Sequence, residues 1–203
     1  MLKSEPLQQL LGILGTLDFE ENGRMRVVSV RWSADRLAVR FHVDHGTEET
    51  STWQLRFTGV LEHLFTDVVN ECGLNIWDGD HPAIDQYVQP REFLHFASAP
   101  QDPHHVVGEL WAAHVKLVDD WIPFERYFNG EVALHQLLAS GSGLLAKGPV
   151  FLLSAYASIL ENAGCRPTRQ ALPPARLVQT ATLTHFGESY VVAEKVIVRK
   201  LAA

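Results

Sequence analysis

Arg36-Leu37-Ala38-Val39-Arg40-Phe41-His42-Val43 and then Trp53-Gln54-Leu55-Arg56-Phe57-Thr58 place an apolar residue at every second position. Side chains on an extended strand point alternately to opposite faces, so this period of two predicts two neighbouring β-strands with one buried face. Leu37, Val39, Phe41, Trp53, Leu55 and Phe57 are expected to line a core. Arg31, Arg36, Arg40, His42, Gln54, Arg56 and Thr58 are expected on the other side. Val28, Val30 and Trp32 repeat the alternation more weakly just upstream. Ser33-Ala34-Asp35 and the segment from Asp44 to Ser51 are short polar connectors, which predicts an antiparallel meander over residues 24 to 60.

Upstream of the meander, Leu7, Leu10, Leu11 and Leu14 follow a helical spacing behind Ser4, a capping residue type, and predict an opening amphipathic helix. Downstream, Leu74 to Trp77 and Phe93 to Phe96 read as short strands on either side of the turn-rich Asp78-Gly79-Asp80-His81-Pro82. Asp102-Pro103 is a cap followed by the proline favoured in a first turn, and Val106, Leu110, Ala113, Leu117 and Trp121 carry the predicted helix onward. Further helices are expected from Glu131 to Ala139 and from Pro149 to Ala163, the latter stopped by Gly164. Cys165 to Pro174, with three prolines, reads as a linker or long connection. Leu177 to Leu183 and Tyr190 to Val198 form an expected hairpin about His185 to Glu188. Two strands alone are barely stable, so the hairpin should return to the sheet. The fold class is therefore α+β: an antiparallel sheet made of the N-terminal meander and the C-terminal hairpin, with a central helical section from 103 to 163. One domain over residues 1–203 is expected, with subdivision near 100 and 165–174 as the alternative.

A chain of 203 residues with 46% hydrophobic and 20% charged content can bury a core without staples. Cys72 and Cys165 are too few for a disulfide scaffold and form no C-x-x-C pair, which fits free thiols in a reducing compartment. Glu5 and Pro6 stand where the apolar region of a signal peptide would begin. The longest uncharged apolar run, Gly148 to Leu160, falls short of the about 20 residues that a membrane span needs. The expectation is a cytoplasmic protein away from the membrane.

Charge is segregated along the chain. Residues 1–56 carry seven basic and eight acidic side chains, residues 57–165 four and fourteen, and residues 166–203 six and two, giving −1, −10 and +4 and a total of −7. Such asymmetry bears on partners and solubility rather than on fold.

No segment carries a complete catalytic or metal-binding spacing. His42-Val43-Asp44-His45 resembles the second half of the H-x-H-x-D-H motif of metallo-β-lactamase-like hydrolases. Arg40 stands where that motif has its first histidine, and a guanidinium that stays protonated cannot ligate a metal. Asp102, His104, His105 and Glu109 fall on the first turns of a helix and read as a solvated face. Gly141-Ser142-Gly143-Leu144-Leu145-Ala146-Lys147-Gly148 imitates nucleotide-binding loops. It lacks the preceding strand that G-x-G-x-x-A requires, and the glycine before and hydroxyl after the lysine that a P-loop requires, so it reads as a flexible connection between helices. Neither a cofactor nor a metal is expected.

The expected function is that of a non-catalytic binding or protein-interaction module, with a protein partner or self-association and the arginine face drawn to the acidic middle of this chain or of a second copy. Nucleic acid is not expected, because the strand aromatics alternate toward the core and leave no stacking platform. The alternative is a small-ligand-binding protein or enzyme with a pocket near Trp77, Asp78, Asp80 and His81, where carboxylates and an imidazole adjoin an indole.

Overall fold

The computed structural model describes residues 4–34, 36–66, 73–172 and 178–202. Asp35, Cys72, Pro173, Pro174 and Leu177 lie outside them. The fold is α+β, with six α-helices and nine strands in antiparallel sheets among the described residues. The chain divides into two compact units, the first formed by residues 1–84 and 180–203 and the second by residues 85–179. The boundaries between these units fall at Ile84/Asp85 and Gln179/Thr180.

In the first unit, helices α1 (Glu5–Leu14) and α2 (Leu17–Asn22) precede strands β1 (Arg24–Ser33), β2 (Arg36–Asp44), β3 (Thr50–Leu64) and β4 (Leu74–Trp77). Strands β8 (Thr182–Phe186) and β9 (Ser189–Leu201) close the chain, and the six strands lie in the order β1-β2-β3-β9-β8-β4. The predicted hairpin thus returns to the sheet, with β9 paired along β3 from Thr52 to Leu64. Leu37, Val39, Phe41, Trp53, Leu55 and Phe57 are all fully buried. Leu7 and Leu10 of α1 join them, as do Phe186, Val191 and Val198 from the hairpin. The face expected from Val28, Val30 and Trp32 needs correction, because the β1–β2 register shifts between Val27 and Ser29. A bulge of this kind gives one strand an extra unpaired residue. Val28 is that residue and is 49% exposed; Val30 and Trp32 stay opposite Val39 and Leu37, but Trp32, on the edge strand, is itself 48% exposed.

The second unit holds strand β5 (Arg91–Ala97), helices α4 (Pro103–Val118) and α5 (Leu134–Ala139), strand β6 (Ser142–Pro149), helix α6 (Val150–Asn162) and strand β7 (Arg166–Ala171). Helix α3 (Pro82–Val88) carries the boundary between the units. The three strands form a second sheet in the order β6-β5-β7. Two sequence expectations are overturned here. Residues 142–149 are a strand rather than a flexible connection, hydrogen-bonded to β5 with Leu145 and Ala146 fully buried. Cys165 to Pro174 is not simply a connection, since residues 166–171 pair with the other side of β5. Pro167 is tolerated because β7 is an edge strand and need not donate outward.

On α4 the buried stripe is Val106, Leu110, His114 and Val118, whereas Leu117 is 38% exposed. Successive steps of four turn the stripe away from the expected Ala113 and Leu117 and bring a histidine inside. The core accepts it because both ring nitrogens are bonded, Nε2 donating to the Ile122 carbonyl at 2.6 Å and Nδ1 accepting from the Tyr156 hydroxyl at 2.7 Å. Burial, and next the neighbouring Tyr127, push the Tyr156 phenol well above its ordinary range. No helix among the described residues is long and apolar enough to cross a membrane.

Candidate functional site

The first unit's sheet has two chemically opposite faces built from the same four strands. On the face that carries the core, β1, β2, β3 and β9 align Val30, Val39, Leu55 and Val198 in one row and Trp32, Leu37, Phe57 and Val196 in the next, with Trp32 on the edge strand left 48% exposed. On the other face the rows are Ser29, Arg40, Gln54 and Arg199; Arg31, Ala38, Arg56 and Ile197; and Ser33, Arg36, Thr58 and Lys195. These twelve positions hold six cations and no carboxylate. The cations alternate as on a chequerboard, so no two stand directly opposite on adjacent strands. Strand spacing of about 4.8 Å and a two-residue rise of about 6.7 Å put diagonal neighbours about 8 Å apart at their Cα atoms.

That alternation makes the array tolerable. Like charges directly across a ladder are destabilising, and moving them to the diagonal reduces the contact to about 0.5 kcal/mol per pair in water, less in salt. Arg56 is the hub, with Arg40, Arg199, Arg36 and Lys195 on its four diagonals. Its Nε donates to the Gln54 amide oxygen at 2.7 Å, and Gln54 is itself buried on this polar face. Arg31, Arg36, Arg56, Lys195 and Arg199 are exposed, whereas Arg40 is half-buried. The Arg40 Nε and the hydroxyl of Ser29, its ladder partner, are enclosed without a hydrogen-bond partner. Five of the six cations, together with Gln54 and Thr58, line a depression of about 540 Å³ floored by Ala38 and Ile197. The face therefore offers many N–H donors and fixed positive charge around a shallow basin. Such an arrangement of donors and positive charge can hold an anion.

The residues singled out near Trp77 have a different setting. Trp77 ends β4, Asp78 and Asp80 are exposed on the following turn, and His81 is buried. Asp80 adopts φ +45, a conformation that aspartate tolerates better than most residues. His81 opens α3, its Nδ1 accepting from the Ala83 N–H at 3.2 Å and its carbonyl from the Ile84 N–H at 2.8 Å. The His81 and Trp77 rings lie 5.1 Å apart, and His185 of β8 approaches the same indole at 6.3 Å. Burial, and next the neighbouring His185, hold the His81 imidazole below its ordinary range; burial alone does so for His185. The structure thus gathers Trp77, His81 and His185, the last of which sequence spacing could not supply.

The remaining clusters serve turns and caps. Asp44 accepts from the Gly46 N–H at 3.1 Å, while His45 bonds Ser51 at 2.7 Å and Ser51 accepts from the Trp53 indole at 2.8 Å. Gly46 adopts φ +82, and a Cβ there would run into the Asp18 carbonyl. Asp102 caps α4 by accepting from the His104 and His105 N–H groups, both at 3.0 Å. His105 and Glu109 stand 3.6 Å apart, and His104 stacks on His135. Among the described residues no group of three or more His, Cys, Asp or Glu side chains is placed to hold a metal ion.

Comparison of the chain with protein-family models, with curated proteins and with solved structures finds no match.

Proposed function

We propose that this chain is a non-catalytic binding module and that its working surface is the cationic face of the six-stranded sheet, which takes an anionic partner. The observation that carries this reading is the chequerboard of Arg31, Arg36, Arg40, Arg56, Lys195 and Arg199 with no carboxylate among its twelve positions. Fixed like charges gathered on one face raise the local concentration of opposite charge, and binding an anion relieves their mutual repulsion. Titration calorimetry with tripolyphosphate and with polyglutamate tests it, comparing the native chain with Arg31→Ala/Arg199→Ala. Saturable binding to at least one polyanion, weakened by salt and by the double substitution, is expected. Absence of binding to both, and to vesicles bearing an anionic phospholipid, at low salt refutes the reading.

A second reading places a small ligand at Trp77, Asp78, Asp80 and His81. It is favoured by the gathering of two imidazoles against one indole. Saturable quenching of tryptophan fluorescence by a small molecule, abolished in Trp77→Phe, would support it.

A further inference from the structure

We infer that the occupant of the cationic face is a compact ligand carrying several phosphate groups, rather than an extended acidic chain. This rests on the anion-binding reading and deepens it.

Geometry is the first argument. The three rows span about 14 Å across the four strands and about 13 Å along them, so the array is as wide as it is long. An acidic peptide in extended form presents its carboxylates along a line, and a line fits cations in a single row. Five of the six cations instead line one basin together with Ala38 and Ile197, and Arg56 stands diagonal to Arg36, Lys195 and Arg199. The basin of about 540 Å³ lies within the about 300–1,000 Å³ typical of small-ligand sites.

Charge density is the second argument. Five cations lining so small a basin call for about five negative charges, and a phosphate monoester carries about −1.5 to −2 near neutral pH. Three or four phosphates meet that demand, whereas carboxylates would have to be twice as many in the same volume. Five of the six cations are arginine, whose planar fork matches two oxygens of one phosphate at once. The twelve positions include no aromatic side chain, so stacking on bases is not offered.

The test titrates the full chain with tripolyphosphate and inositol hexakisphosphate as soluble probes, and with vesicles bearing a bisphosphorylated inositol lipid as the headgroup form. Polyglutamate and a DNA duplex serve as the extended competitors. Soluble probes binding at one site per chain, more tightly than polyglutamate at equal total charge, are expected, and Arg56→Gln should weaken them by about tenfold or more. Lys195→Ala should weaken them less, and Lys116→Ala in the second unit should leave them unchanged. Circular dichroism and denaturation midpoints confirm that each variant folds. Lipid binding without soluble binding assigns the same chemistry to a membrane headgroup and upholds the inference. Polyglutamate binding with none to either phosphate form overturns it while leaving the anion-binding reading intact. Tighter binding of duplex than of any compact probe also overturns it, and no binding to any arm overturns both.

Discussion

Phe57→Ala removes a fully buried ring from the centre of the core face, where Phe57 lies between Leu37 on β2 and Val196 on β9. Burying a phenylalanine side chain is worth about 1.5–3 kcal/mol relative to leaving it in water. Neighbours held by a continuous sheet can close only part of the space, and a residual void of roughly 80 Å³ adds about 2 kcal/mol at about 24 cal/mol per Å³. The expected loss is therefore about 4 kcal/mol, inside the range of about 3–5 kcal/mol for buried aromatic truncations. The adjacent Arg56→Ala exchanges an exposed side chain and costs about 1–2 kcal/mol, because it leaves the amide oxygen of buried Gln54 without its Arg56 donor. Denaturant titration of both variants, with the slope checked for constancy, measures the two numbers. A larger loss for Arg56→Ala than for Phe57→Ala would invert the face assignment and refute the reasoning. Calorimetry of Phe57→Ala also tests the expectation of a single cooperative domain. One transition should fall by roughly 8–16 °C at about 2–4 °C per kcal/mol for a chain of this size. A stationary second transition would show that the units unfold separately.

Acid should weaken the protein through His81 and His185. Their folded-state values lie below the ordinary 6.5, so their contribution is complete above that value and is lost as pH falls through the lowered one. Urea midpoints should drop between about pH 7 and pH 5, and a slope unchanged by His81→Asn and His185→Gln would contradict this. Tyr156 acts in the opposite direction. Its phenol is raised above the ordinary 10.0, so the stability it contributes is complete below that value and is lost as pH climbs beyond it. Tyr156→Phe should cost about 1–2 kcal/mol at neutral pH by leaving the His114 Nδ1 unpaired, and should flatten the alkaline slope; an alkaline slope as steep as that of the native chain would refute it. Elemental analysis of purified protein is expected to find no stoichiometric zinc, since the sequence around His42 and His45 lacks a ligand of the motif it resembles. A tightly held ion lost in His42→Ala/His45→Ala would overturn that.

The meander was legible because period two survives wherever one face of a strand is buried and the other wet, as in β2 and β3. The bulge at Val28 was not, since a single extra residue leaves the composition of β1 unchanged. β6 was hidden by Gly141, Gly143 and Gly148, residues depleted in strands, and by a register shift between Leu94 and His95 that buries adjacent Leu145 and Ala146 and breaks alternation. Of the cationic face, the sequence displayed Arg31, Arg36, Arg40 and Arg56 but not Lys195 and Arg199. Those two join it only through the β3–β9 register, a pairing between segments far apart in the chain. His185 reached Trp77 by the same kind of route, through β4 and β8. What sequence spacing misses in both places is convergence across strands.

Charge in sequence and charge in space also differ. The fourteen acidic residues between 57 and 165 divide between the units, five in the first and nine in the second. The first unit holds ten basic and fifteen acidic residues, a formal −5, while the second holds seven and nine, a formal −2. The cationic face thus belongs to a net acidic body, and its positive field is local. At physiological salt, fields decay over about 8 Å, close to the spacing of the array itself. A ligand small enough to sit within that distance meets the five cations that line the basin. A long polyanion must also run past the acidic remainder of the surface, and each charge placed there is repelled. Selectivity for compact over extended anions then follows from the size of the patch relative to the screening length. It should narrow as added salt shortens that length, because salt first removes the longer-range repulsion that penalises the polymer.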